Sequence, residues 1–208
     1  MFIPKLYKNE NTNEIIEYVQ KNNFGIIISL NAQNRIIATH IPFVIKTKNG
    51  KIILETHVAK SNEQWQSLAM QQEVLVIFQG EHSYISSSWY DHVNVPTWNY
   101  IATHFYGKVR MLNHDDTYTH LDELTEQHEK QEVHRISVKN LPPGYVEREM
   151  KGLVAFAIDV HEVQSAFKLS QNRNKKNADN IINELQKRGD DFSLAIAQAM
   201  KKISFKNT

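Results

Sequence analysis

Short apolar runs bounded by turn residues fill the first half of the chain, and apolar stripes at helical spacing fill its last third. An extended arm and a helix occupy the first 23 residues. Ile15, Ile16 and Val19 share one helical face, and Asn11 or Thr12 is placed to cap it. FGIIISL (24–30) reads as a buried strand, Asn31 to Asn34 as a hairpin turn, and Arg35 to Val44 as the returning strand. The Asn49-Gly50 pair between two β-type runs is a strong hairpin signal, followed by the strand KIILETHV (51–58). A short helix opens at Ser61-Asn62 and runs through Leu68. VLVIF (74–78) is a fourth strand that ends in a turn at Gly80, and Thr97 to Leu112 is further β structure interrupted near Gly107.

Beyond this the period changes. Asp115 to Glu132 reads as a polar helix with Tyr118, Leu121 and Leu124 inward, and Leu141-Pro142-Pro143-Gly144 breaks the chain. GLVAFAIDV (152–160) is short enough for a central strand, and 164–177 reads as a polar linker. Ala178, Ile181, Ile182 and Leu185 form one helical stripe. Ile196, Ala199, Met200 and Ile203 form another, with Gly189-Asp190-Asp191 ending the first helix and capping the second. Six or so hairpin-linked strands with helices inserted late predict an antiparallel barrel with peripheral helices, not a doubly wound sheet. The expected organisation is a single domain over 1–208, with 177–204 as a helical extension within it.

Composition narrows the chemistry. The formal net charge is +1, so no global field draws the chain to nucleic acid or anionic lipid. Cysteine is absent, which excludes disulfides, thiolate nucleophiles and cysteine metal sites together. No apolar run approaches membrane-spanning length and no signal segment opens the chain. The expectation is therefore a soluble cytoplasmic protein without membrane partners. The ten histidines show no HExxH, and His128-Glu129 has Glu132 where a second histidine would stand, so no metal site is expected. GxSxG, GxGxxG and P-loop motifs are missing as well.

Two segments carry candidate chemistry. Tyr84 to Tyr100, YISSSWYDHVNVPTWNY, holds two of the three tryptophans and three of the eight tyrosines among serines and amides. Rings mixed with hydrogen-bonding groups suit a wall on which a flat ligand stacks, and they equally suit a β core with a polar turn. In 168–176, Lys168, Arg173, Lys175 and Lys176 alternate with Ser170, Gln171, Asn172 and Asn174. Such a segment entering a helix can hold phosphate, contact DNA, or be a solvated basic loop.

In chain order, the motifs are Thr39-His40-Ile41-Pro42, His57-Val58-Ala59-Lys60-Ser61-Asn62 with Trp65, Phe78-Gln79-Gly80, Tyr84-Ile85-Ser86, Trp89-Tyr90, Val95-Pro96-Thr97-Trp98-Asn99-Tyr100 and Lys168-Leu169-Ser170-Gln171-Asn172. Together they resemble the PaiB family of FMN-binding negative transcriptional regulators, over nearly the whole chain. The resemblance implies an α+β, mainly β fold: a split antiparallel β-barrel of the FMN-binding type with peripheral helices and a helical C-terminus, working as a homodimer. It implies FMN as cofactor. Thr39, His40 and Pro42 would line one strand beside it, and His57, Ala59, Lys60 and Asn62 would flank the phosphate and ribityl chain. Thr97, Trp98 and Asn99 would meet the flavin or the dimer seam, and Lys168, Ser170 and Gln171 would close the site. The chain departs from the family pattern at His134-Arg135, where a tryptophan is expected, and at Gln164-Ser165-Ala166, where a glycine is usual. The implied role is transcriptional regulation, with direct DNA contact left open. The alternatives are an FMN-dependent oxidoreductase or flavin reductase, and a haem-binding split barrel. No residue stands out as a catalytic acid or base.

Overall fold

The computed structural model describes residues 1–70, 73–142 and 144–205. Helix α1 (Thr12–Lys21) is capped by Asn11, whose Oδ1 accepts from the Glu14 amide at 3.3 Å. Strand β1 (Phe24–Leu30) turns at Asn31, whose Oδ1 accepts from the Gln33 and Arg35 amides, into β2 (Ile36–Pro42). The single strand expected to run to Val44 instead breaks at Phe43, and β3 (Val44–Lys48) begins a new direction. Asn49 and Gly50, at φ 51° and 74°, join β3 to β4 (Lys51–Ala59). Two successive positive φ values are what a two-residue hairpin turn requires, and Asn-Gly supplies them cheaply.

A short helix α2 (Gln64–Leu68) follows, then β5 (Glu73–Ile85), β6 (Thr97–Met111), α3 (His114–Glu129), α4 (Tyr145–Met150), β7 (Leu153–Lys168), α5 (Lys175–Arg188) and α6 (Asp191–Lys201). Three expectations fail here. Gly80 lies inside β5 rather than at a turn. β6 passes unbroken through Gly107, because the β7 backbone approaches there: a Cβ on Gly107 would sit 2.7 Å from the Asp159 carbonyl oxygen. The 164–177 linker is mostly regular structure, since β7 continues to Lys168 with Ser165 and Ala166 buried, and α5 starts at Lys175. Of the expected break at 141–144, Pro143 lies outside the described residues; Gly144 takes φ 75° just before α4.

The sheet order is β2-β1-β5-β6-β7-β4-β3. Its outermost strands, β2 and β3, are separated in the chain by Phe43 alone, so the sheet must curl until its edges approach. Asn23 fixes this corner: its carbonyl accepts from the Phe43 amide at 2.9 Å and its side chain donates to the Phe43 carbonyl at 3.1 Å. Thr56 in β4 donates to the Pro42 carbonyl of β2 at 2.7 Å. The architecture is thus mainly β, an antiparallel barrel with helices outside it, as the sequence implied.

The chain packs as two compact units: Ile16–Phe78 with His104–Val163, and Met1–Ile15 with Gln79–Thr103 and Gln164–Thr208. The first holds the barrel core, where Phe43, Phe78 and Phe105 are fully buried and meet edge to face at 5.3 and 5.6 Å. Helix α3 lays Thr117, His120 and Leu124 inward, whereas Tyr118 and Leu121 are half-buried. In the second unit α5 packs on α6 through Ala178, Ile181, Ile182 and Leu185 against Ser193, Ile196, Ala197 and Met200. Ala199 and Ile203 of the expected stripe are only half-buried. Gly189 at φ 75° ends α5, and Asp190 caps α6 through the Ser193 amide. The N-terminal arm pairs with β7 through Lys8 and Ala166.

Candidate functional site

Seven of the thirteen implied site residues lie in the barrel unit and six in the other. In the barrel unit, Thr39 and Asn62 come together. Asn62 Nδ2 donates to Thr39 Oγ1 at 3.0 Å, and Thr39 donates to Gln64 Oε1 at 2.5 Å. Gln64, buried beneath them, donates to Ser29 Oγ at 3.0 Å. Sequence patterning missed Gln64. A glutamine on a five-residue helix carries no signal that it is the hub of a buried network. Thr39, Asn62 and Gln64 border a cleft of about 470 Å³ walled by amides, hydroxyls, Glu63 and the apolar Ala32, Ile37, Ala38 and Met70, with no cation.

His40 is outside this network; its exposed ring stacks on Phe24 at 6.4 Å, and Pro42 ends the strand. His57 turns towards α3, where its Nδ1 meets His120 Nε2 at 3.0 Å with the rings at 68°. Burial holds the His57 imidazole below its ordinary pKa. Burial, then His57 and Lys46, pushes His120 down to about 3. Both rings are therefore neutral near pH 7, one donating and one accepting. Ala59 ends β4 exposed, and Lys60 borders a different cleft, with Lys151 and His114.

The second group is built on the start of β6 and the turn after β7. Alternation along β6 puts Thr97 and Asn99 on one face and Trp98 on the other. Lys168 Nζ donates to Thr97 Oγ1 at 2.6 Å and lies 5.9 Å from the Tyr7 ring. Burial, and then the Arg173 charge, lower its pKa. Ser170 is buried at φ 62°, a conformation L-residues rarely take, and donates to Asn99 Oδ1 at 3.1 Å. Asn99 in turn donates to Met200 Sδ at 3.4 Å. Gln171 folds back on its own loop, accepting from the Leu169 amide and donating to the Phe167 carbonyl. Asn99, Ser170 and Gln171 thus shape the loop, while Thr97 and Lys168 present polar groups.

The rest of the aromatic stretch divides between core and surface. Tyr90 is buried beneath the Arg173 guanidinium, 4.8 Å from the ring centre, and Trp89 lies under Arg188 at 4.7 Å. Ser86 caps the tight turn 87–89, as expected of a serine run. Trp98 is 52% exposed, beside Tyr84 and His82. Asp91 and Asn177 exchange two hydrogen bonds, at 3.0 and 2.9 Å. Bonds from His92, Asn177 and Lys176 hold the Asp91 carboxyl well below its usual range.

The Lys168–Thr97 pair fits a phosphate in kind. An ammonium has three donors, Thr97 is its hydrogen-bond acceptor among the described residues, and the hydroxyl adds a further polar contact. Trp98 offers a half-exposed ring of the kind isoalloxazine stacks on.

The strand order and corner define a split-barrel fold, and solved structures superpose on it. The FAD and haem binding protein from Mycobacterium smegmatis aligns with TM-score 0.57 at 14% identity, over 78% of this chain and 73% of that one. The flavocytochrome Anf3 from Azotobacter vinelandii aligns with TM-score 0.57 at 11% identity, over 77% and 69%. Residues 1–162 match the family described as "Putative FMN-binding domain". The chain is 41% identical over 201 residues to the protease synthase and sporulation protein PAI 2 of Bacillus subtilis (strain 168), covering 97% of each. The chain belongs to this family, the PaiB family. Membership supports FMN as the cofactor, as the resemblance implied.

Proposed function

We propose that the protein is a PaiB-type transcriptional regulator that binds FMN and works as a cytoplasmic homodimer. The observation that carries this reading is the end-to-end relation to the PAI 2 protein, at 41% identity with 97% of each chain aligned. Among the described residues no helix is long and apolar enough to cross a membrane. Lys168 and Thr97 would hold the phosphate, with Asn99, Ser170 and Gln171 keeping their loop in shape. Bound FMN supplies hydride and electron transfer at its ring.

The basic segment is poorly suited to gripping DNA by itself. Lys175 pairs with Asp179 at 2.8 Å, Lys176 with Asp91 at 3.0 Å, and Arg173 covers Tyr90. Direct repression therefore calls for a surface other than 168–176, or for a partner.

The test combines three measurements on the purified full chain. Light scattering should give twice the 24.2 kDa chain mass. Added FMN should lose fluorescence saturably. Crosslinking and sequencing of associated DNA in cells should recover discrete promoter fragments. A monomer that leaves FMN fluorescence unchanged and enriches no fragment would refute the reading. Catalytic consumption of NAD(P)H with FMN would assign an oxidoreductase instead, and a haem Soret band with no response to FMN would assign a haem protein.

A further inference from the structure

The cleft that takes in Lys60 differs in chemistry from the one at Thr39 and Asn62. It measures about 310 Å³ and lies among the end of β6, the first turn of α3, α4 and the start of β7. Two pieces of backbone pairing fix its walls: the Lys60 amide donates to the Gly152 carbonyl at 2.8 Å, and the Leu112 amide to the Ala155 carbonyl at 3.0 Å. Helices α3 and α4 are tied across it by His114 Nε2 and Glu147 Oε2 at 2.8 Å. The Glu147 hydrogen bond, then the one to Asp115, raises the His114 pKa, and Glu147 is engaged by this contact. The Lys60 and Lys151 ammonium groups have no acidic partner within ion-pair distance among the described residues. Apart from Asn113 and Thr117 the rest of the lining is apolar, with Met111 and the buried Met150 prominent.

An apolar floor beneath two uncompensated lysines suits a ligand with an anionic end and a hydrocarbon body. Inorganic phosphate would strand the floor, and a neutral hydrocarbon would leave the lysines unanswered. Methionine side chains adapt to varied apolar shapes, which favours a class of ligands over one molecule. The walls of the cleft neighbour the His57–His120 pair, of which His120 is fully buried. Ala155 is the register partner of His57, so their side chains share a sheet face, and Thr117 lies one helical turn before His120. Both Ala155 and Thr117 line the cleft.

From this geometry we infer that the cleft is a binding site for a small amphipathic carboxylate, an organic acid with an apolar body, and that it is separate from the flavin site. Occupancy would be felt at the His57–His120 pair behind its wall.

Phenylacetate is a suitable probe, with 2-phenylethanol as the uncharged match for its body and inorganic phosphate as the match for its charge. The full chain carrying ¹³C-methyl methionine reports on Met111 and Met150. Phenylacetate should shift both methyl signals saturably, with either control at least roughly tenfold weaker, about 1.4 kcal/mol. Lys151→Gln should weaken phenylacetate by a similar factor, while FMN affinity and the urea midpoint stay unchanged. Histidine ring signals of His57 and His120 should move with the methionine methyls. No methyl shift, or phosphate binding as tightly as phenylacetate, would overturn the proposal. FMN shifting the same methyls and displacing phenylacetate would overturn the separateness and make the cleft part of the flavin site. Because FMN binding is read independently in Lys151→Gln, failure here is distinguishable from failure of the FMN reading.

Discussion

Gly107 shows how one residue can be fixed by a neighbouring backbone rather than by a turn. A Cβ there would meet the Asp159 carbonyl oxygen and Ile158 Cγ2, both at 2.7 Å, and a main-chain atom cannot step aside as a flexible side chain can. Gly107→Ala should therefore destabilise the protein by about 1–3 kcal/mol, read as a lower urea midpoint. The sequence placed a break at this glycine; the close approach that explains it belongs to a strand some fifty positions away, outside any local window. The His57–His120 contact is hidden for the same reason. His120 titrates at about 3 in the folded protein and near 6.5 when unfolded, so the unfolded state takes up the proton first as pH falls. Stability from the neutral ring is complete above about pH 6.5 and is lost progressively below it, by up to about 2 kcal/mol at pH 5. Urea midpoints at neutral and mildly acidic pH should show this slope, and His120→Phe should flatten it. An unchanged slope in that variant would place the acid sensitivity elsewhere.

Elements with local punctuation were legible from sequence. The β1 strand bounds, the Asn49-Gly50 hairpin and the Gly189-Asp190 junction all follow from residues that dictate their own backbone. Their partners were not. The period of β7 gives no hint that it extends to Lys168, because the 164–177 segment as a whole looks polar while Ser165 and Ala166 are buried. The barrel corner at Phe43 was likewise invisible, since the run Arg35 to Val44 reads as continuous. Asn23 makes the corner, so Asn23→Ala should leave the Phe43 carbonyl without that donor. The expected cost is about 1–3 kcal/mol, visible as faster amide exchange in β2 and β3 before the other strands. At the hairpin, Gly50→Ala forces a Cβ into φ 74° and should cost about 1 kcal/mol in thermal or urea unfolding. The cap and the turn are local devices; the corner couples both edges of the sheet, and its loss should spread further.

For the molecule as a whole, family and fold follow from the ordered motifs, while the division of labour within the site follows only from geometry. The resemblance sets the PTWNY segment against the flavin or the dimer seam and the KLSQN segment to close the site. In the structure Asn99, Ser170 and Gln171 hydrogen-bond within the protein and shape the loop, leaving Thr97 and Lys168 with polar groups to offer and Trp98 with an exposed ring. Residue types cannot reveal that split, because amides and hydroxyls serve loops and ligands equally well. The split makes the account sharp. Calorimetric titration of FMN into the wild-type chain and into Lys168→Ala is the most direct measurement. Saturable binding should weaken at least roughly tenfold in the variant, about 1.4 kcal/mol for the lost charge-assisted contact, at an unchanged thermal midpoint. Equal affinity in the two proteins, or no heat from the wild type, would contradict the placement of the flavin phosphate at Lys168.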